Sequence, residues 1–314
     1  MKTLKAKPLR KNATIGIIST SSPQRDPTRL ERGITYLESL GYRVELSKHA
    51  LKSTAGYLAG TDEERLEDIH GMFADKRIDA IFCARGGYGS PRMLLKLDYE
   101  LIRKKPKIFA GFSDVTALQC AIFKHTGLIT FSGAMPSVDM ADSFHPESEE
   151  SFWRILTNPE PLGEVKQSEP IEVFKKGHAA GRLFCGNLTM FSMLCGTPFL
   201  PDFKNAVLLS EDIGEEPYRI DRILSQFENC GFFKELSGLA FGRFTQENLR
   251  PTTVPQRTME EVLKEFTERA GLPTIANVLY GHQAKKLTLP FGAMCEMDAE
   301  KGVLKIGESA LLND

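Results

Sequence analysis

Short β-rich apolar runs alternate with stretches of helical period through the first 125 residues, and this alternation limits the fold more than any other feature. Strands are expected at 13–19, 42–46, 79–84 and 107–112, and helices at 27–40, 61–73 and 115–125. The helix signals are specific: Asp26 as N-cap with Pro27 at N1 and Gly41 past the end, then Thr61 and Glu64 at capping-box spacing. Strands and helices of these lengths join by right-handed crossovers, which gives a parallel sheet covered by helices. The expected architecture is an α/β, flavodoxin-like, doubly wound domain with its ligand site beyond the carboxyl ends of the strands.

At 314 residues the chain is longer than one core usually organises, since cores stop growing near roughly 250–300 residues. Between 139 and 181 the sequence turns proline-rich and acidic, with little strand pattern beyond a helix at 147–156, and it reads as a crossing between domains. The expected division is a nucleophile-bearing domain at 1–140, a connection at 141–180 and a second, smaller α/β domain at 181–314. That second unit has strand signals at 206–210, 236–241 and 275–280, and helix signals at 217–228 and 259–270.

Forty basic and 41 acidic residues leave a net charge of −1, so no global field draws the chain to nucleic acid or anionic lipid. The basic start (Lys2, Lys5, Lys7, Arg10, Lys11) precedes an apolar run too short for a signal-peptide core, and no run is long enough for a membrane helix. Six scattered cysteines with no CxxC pair read as reduced thiols of a cytoplasmic protein.

Four segments carry candidate chemistry. In Lys-Ile-Phe-Ala-Gly-Phe-Ser-Asp-Val-Thr-Ala-Leu (107–118), Ser113 falls at a strand-to-helix turn, where a nucleophile elbow stands. Gly111 permits close strand–helix approach there, and the Asp114 amide would open the next helix as an oxyanion donor. The plainer reading is a serine N-cap. Cys-Ala-Arg-Gly-Gly-Tyr-Gly (83–89) follows the third strand and either tightens a turn, cradles an anion or supplies a second oxyanion amide from Gly86 or Gly87. It lacks the full dinucleotide and Walker patterns, so no nucleotide cofactor is inferred.

The third segment ends a buried strand in Glu211, Asp212, Glu215 and Glu216. Glu215 and Glu216 suit a helix start, whereas Glu211 at the strand end is better placed to accept a hydrogen bond in a cleft. In the fourth, His282 follows an apolar strand and Gly281; a structural histidine is the competing reading. Serine, glutamate and histidine thus each follow a strand, in one of the chain orders in which hydrolytic triads recur. A serine hydroxyl needs such a base, and the imidazole needs an acceptor on its other nitrogen.

The chain resembles the LD-carboxypeptidases and the related microcin-C immunity peptidases. The motifs are Arg-Gly-Gly-Tyr-Gly (85–89), Gly-Phe-Ser-Asp-Val-Thr-Ala-Leu (111–118), Gly-Asn-Leu (186–188), Leu-Ser-Glu-Asp-Ile-Gly-Glu-Glu-Pro-Tyr-Arg-Ile-Asp-Arg (209–222), and Gly-His (281–282) before Lys-Leu-Thr-Leu-Pro-Phe-Gly (286–292). The resemblance implies a nucleophile at Ser113, a histidine base at His282 and an orienting carboxylate at Glu211. It implies oxyanion amides at Asp114 and Gly86 or Gly87, a homodimer, and no metal or other cofactor. It also implies cytoplasmic release of terminal D-alanine from murein tetrapeptides during peptidoglycan recycling.

Arg85 and Arg219 are candidates for the substrate carboxylate, with structural ion pairs as the competing role. The alternative activity is cleavage of an aminoacyl-nucleotide amide, for which Trp153 and Phe174 are the aromatics to consider as an adenine stack. A non-enzymatic two-domain binding protein is the remaining alternative.

Overall fold

In the computed structural model, which describes residues 2–245 and 257–313, the first apolar run becomes β1 (Thr14–Ile18), with all five residues buried. Helix α1 (Pro27–Ser39) begins on Asp26, whose carboxylate accepts from the Thr28 amide, and β2 (Arg43–Leu46) follows. Helix α2 (Asp62–Ala74) carries both bonds of the Thr61–Glu64 capping box. Then come β3 (Ala80–Cys83), α3 (Tyr99–Lys104), β4 (Ile108–Gly111), α4 (Thr116–Thr126) and β5 (Thr130–Ser132). The strands pair in parallel in the order β2-β1-β3-β4-β5, the flavodoxin-like order. Strands β3 and β4 are buried throughout, as parallel strands covered on both faces must be. Helix α3 and strand β5 had no sequence signal because six and three residues are too few to show a period.

The rest of the chain forms α5 (Pro146–Thr157), β6 (Gly163–Glu164), β7 (Glu172–Lys175), β8 (His178–Asn187), α6 (Leu188–Leu194), β9 (Ala206–Ile213) and α7 (Pro217–Asn229). After these come β10 (Leu236–Thr245), α8 (Met259–Ala270), β11 (Thr274–Ala276), β12 (Leu289–Phe291), β13 (Met294–Asp298) and β14 (Val303–Ile306). Strands β8, β9, β10 and β11 are mutually parallel, and antiparallel strands flank them in the order β6-β14-β13 on one side and β7 on the other.

Two expectations need correction. The segment from 139 to 181 is not poor in strand: β6 and β7 lie at opposite edges of the second sheet, and they were hidden because β6 has two residues and β7 sets only Val173 and Phe174 between Glu172 and Lys175. The strand expected at 275–280 stops at Ala276, because Asn277 takes a left-handed φ of 64° and turns the chain.

Strand β12 crosses back to pair antiparallel with β5, so the stretch after His282 stitches the second half of the chain to the first sheet. Phe123 on α4, Phe184 on β8 and Phe291 on β12 meet there with ring centroids 5.2–6.0 Å apart. All three are buried, each worth about 1.5–3 kcal/mol of removal from water, and one continuous apolar cluster runs through both sheets. An apolar junction of this kind holds the two halves in fixed relation.

Candidate active site

Ser113 directly follows the β4–Phe112 segment and takes φ 66°, a left-handed conformation that costs a non-glycine residue about 1–3 kcal/mol. It is not a helix cap. Phe112 holds the cap position of a 3₁₀ turn over Ser113–Val115 and makes no side-chain cap bond. The tight turn depends on Gly111, where a Cβ would stand 2.7 Å from Val115 Cγ1. The serine hydroxyl is thereby turned out of the strand toward residues that arrive from the second sheet.

His282 Nε2 lies 2.9 Å from Ser113 Oγ, and His282 Nδ1 lies 2.7 Å from Glu211 Oε2. A carboxylate only accepts, so Nδ1 carries the proton toward Glu211 and Nε2 is left to accept from the serine hydroxyl. Glu211, fully buried near the end of β9, receives a second bond from Asn187 Nδ2 at 3.2 Å. The same amide donates to Asp212 Oδ1 at 2.9 Å, and Asp212 Oδ2 accepts from the Thr189 amide and hydroxyl at the start of α6. Burial, and then neighbouring Glu211, raises the Asp212 pKa above the ordinary carboxylate value. Gly242 lets the His282 segment close in: a Cβ there would lie 2.1 Å from the Tyr280 carbonyl and 3.3 Å from Glu211 Cβ. The Phe112 ring packs 4.9 Å from the imidazole and 5.3 Å from Tyr280, walling one side of the histidine with apolar surface.

The glycine loop after β3 closes on the same serine. A Cβ on Gly86 would stand 2.9 Å from Ser113 Cβ, and Gly87 at φ 123° lies against Ser22. Among the described residues, no acceptor takes the Gly86 or Gly87 amide. The Asp114 side chain pins the loop: it accepts from the Gly89 and Ser90 amides at 3.3 and 2.8 Å and from Ser21 Oγ at 2.6 Å. Burial raises its pKa, against the pull of these donors. The sequence points to the backbone of Asp114 alone; the roles of its side chain and of Asn187 behind Glu211 carry no local signal, because their partners are distant in the chain.

The six candidates Ser113, Glu211, His282, Gly86, Gly87 and Asp114 therefore converge on one place. Glu215 and Glu216 stay at the start of α7, where Arg219 approaches them at 3.7 and 3.9 Å. Arg85 differs, with Nη1 3.1 Å from the Pro23 carbonyl and Nε 3.3 Å from the Gly86 carbonyl. Trp153 stacks on Tyr42 at 5.1 Å and donates to the Tyr36 hydroxyl, and Phe174 packs beside Phe241 and Lys264. All six cysteines are free. Among the described residues, no group of three His, Cys, Asp or Glu could hold a metal ion, and no helix is long and apolar enough to cross a membrane.

A strained serine backed by histidine and buried glutamate, beside glycine-loop amides, is arranged for acyl transfer. Known proteins point the same way. Over 309 residues the chain is 40% identical to the probable murein peptide carboxypeptidase of Bacillus subtilis (strain 168), covering 97% of this chain and 95% of the relative. It superposes on microcin C7 self-immunity protein MccF in complex with aspartyl sulfamoyl adenosine with a TM-score of 0.89, at 27% identity over 98% of this chain and 100% of that one. For the muramoyltetrapeptide carboxypeptidase of Oxalobacter formigenes the TM-score is 0.80, at 29% identity over 93% and 97%. Residues 15–133 match the LD-carboxypeptidase N-terminal domain and residues 180–297 the LD-carboxypeptidase C-terminal domain. The chain belongs to the LD-carboxypeptidase family.

Proposed function

We propose that the protein is a serine LD-carboxypeptidase that releases terminal D-alanine from murein tetrapeptides, with Ser113 as nucleophile, His282 as general base and Glu211 orienting the imidazole. The observation that carries this reading is the unbroken chain of hydrogen bonds from Ser113 Oγ through both ring nitrogens of His282 to Glu211. Ser113 Oγ attacks the carbonyl of the L,D amide as its proton passes to His282 Nε2. The oxyanion takes hydrogen bonds from the amide of Asp114 and from that of Gly86 or Gly87. Collapse breaks the C–N bond, and His282 returns the proton to the departing amine of D-alanine. Water, deprotonated by His282, then hydrolyses the acyl-serine ester and regenerates the hydroxyl.

In the same reading, residues 1–140 supply the nucleophile and the glycine loop, residues 141–180 connect while lending β6 and β7 to the second sheet, and residues 181–314 supply Glu211 and His282. The enzyme works in the cytoplasm as a homodimer, needs no metal or other cofactor, and serves peptidoglycan recycling. Likeness to MccF gives the aminoacyl-nucleotide reading its support. Against it, Trp153 is occupied by Tyr36 and Tyr42, and Phe174 by Phe241 and Lys264.

The test is turnover of murein tetrapeptide and of an aminoacyl-sulfamoyl-adenylate by wild-type and Ser113→Ala protein. Release of D-alanine by the wild type alone is expected. Turnover by the alanine variant would remove Ser113 from its role, and preference for the adenylate would replace the substrate.

A further inference from the structure

An enzyme that removes only a terminal residue must recognise the free carboxylate at the end of its substrate. In a peptide ending in D-alanine, one Cα separates that carboxylate from the scissile nitrogen. The cation that reads it must therefore stand close to the oxyanion loop and the nucleophile, with donors not already taken by protein carboxylates.

Most cations near the site fail that condition. Arg219, at the start of α7, is half-exposed and has Glu215 and Glu216 within ion-pair reach. Arg243 on β10 is bound by Glu169, and Lys285, three residues past His282, pairs with Glu169 at 3.1 Å and Glu147 at 3.6 Å. Lys286 is buried against Asp139 at 2.8 Å.

Arg85 is different. It directly precedes Gly86, where a Cβ would stand 2.9 Å from the Ser113 Cβ. Its Nη1 and Nε donate only to the carbonyls of Pro23 and Gly86, and among the described residues it has no carboxylate partner. These two bonds fix the guanidinium plane while leaving Nη2 and one Nη1–H for a ligand. Burial, and after it the like charges of Arg25 and Arg29, lower the Arg85 pKa. A half-buried guanidinium held rigid among like charges is stabilised by an incoming anion.

Building on the carboxypeptidase reading, we propose that Arg85 binds the terminal carboxylate of the substrate and so confines cleavage to the chain end. The fork of the guanidinium suits a bidentate carboxylate, and its position next to Gly86 couples recognition of the chain end to the amide that would hold the oxyanion.

Two substrates separate this role from a general one: a murein tetrapeptide ending in free D-alanine, and the same peptide ending in D-alaninamide. The wild type is expected to prefer the free acid by at least about 10²-fold in kcat/KM. Arg85→Met should lose about 10²-fold on the acid and little on the amide, which abolishes the preference. Arg85→Lys keeps the charge without the fork and should recover only part of the loss, and it carries the test if the methionine variant does not fold. Labelling of Ser113 by a fluorophosphonate should be unchanged in both variants. Equal wild-type turnover of acid and amide, or equal losses on the two substrates in the variants, would overturn the assignment while leaving a serine hydrolase in place. Turnover of neither substrate by the wild type would overturn the carboxypeptidase reading itself, and this assignment with it.

Discussion

Gly86 stands so close to Ser113 that a Cβ built on it would lie 2.9 Å from the serine Cβ and 3.2 Å from its Oγ. No side chain fits between the loop and Ser113, so Gly86→Ala must push one away from the other. If the Gly86 or Gly87 amide holds the oxyanion, the alanine variant should lose about 10²–10³ in kcat, the usual effect of removing one such donor. Thermal stability should change little, because the loop remains tied by Asp114 to Ser21, Gly89 and Ser90. Steady-state kinetics alongside a melting curve checks both halves.

Glu211→Gln should inactivate and stabilise at once. The amide cannot hold the imidazole in the tautomer that leaves Nε2 free to accept, so kcat should fall by about 10⁴. Asp212 gains from the change, since its pKa is raised by burial and then by the charge of Glu211. A carboxyl whose folded pKa is raised binds more protons folded than unfolded, so stability falls as pH rises from the unfolded value of 3.8 through the folded one. Removing the Glu211 charge relieves the smaller part of that penalty and leaves the part due to burial. The variant should melt above the wild type at pH 7, with the gap closing as pH falls toward 3.8 and Asp212 takes up its proton.

Legibility in the sequence followed the distance over which each signal acts. The parallel domain was readable because burial on both faces makes β1, β3 and β4 continuous apolar runs, and the Thr61–Glu64 box is a local signal. Ser113, Glu211 and His282 stood out because each comes at the end of an apolar run, although the run before His282 is strand only to Ala276 and Glu211 lies within β9. Ser113 kept a rival reading as a helix cap until its φ of 66° and the Phe112 cap position removed it. What bonds across long separations was invisible: Asp114 to Ser21 spans 93 residues, and Asn187 to Glu211 spans 24. Strand β12 was hidden by its three-residue length, although it joins the halves.

Alkali should weaken the fold above pH 9. Burial pushes the Cys83 and Cys295 thiols up to about 12, and burial with Cys230 nearby pushes Cys195 up to about 11, from an ordinary 9.0. Cys120 and Cys185 are raised by burial as well. Between the unfolded and folded values the native state holds more protons, so stability is full below pH 9 and declines above it. Lys107, pushed down to about 8 by burial, works in the opposite sense between 8 and 10.5, but five thiols outweigh one lysine. Melting temperatures under reducing conditions should fall from pH 8.5 to about 10.5. Native-state alkylation at pH 8 should mark exposed Cys230 first.

Lys286 and Asp139 form an ion pair with both side chains only 4% exposed, at a Nζ–Oδ1 distance of 2.8 Å. Asp139 Oδ2 also accepts from the Met135 amide at 2.7 Å, and Lys286 Nζ lies 5.0 Å from the Phe112 ring that packs on His282. The pair therefore fastens the His282 segment to the first half of the chain directly behind the Ser113 turn. Lys286→Met leaves Asp139 buried and unpaired, and urea denaturation should show a loss of about 3–5 kcal/mol. Adding Asp139→Asn removes the orphaned charge while keeping an acceptor for the Met135 amide, and should recover most of that loss, because buried pairs owe little net stability to their charge. A double variant no more stable than Lys286→Met would instead mean that the lysine stabilises the fold through its packing on Phe112, independently of Asp139.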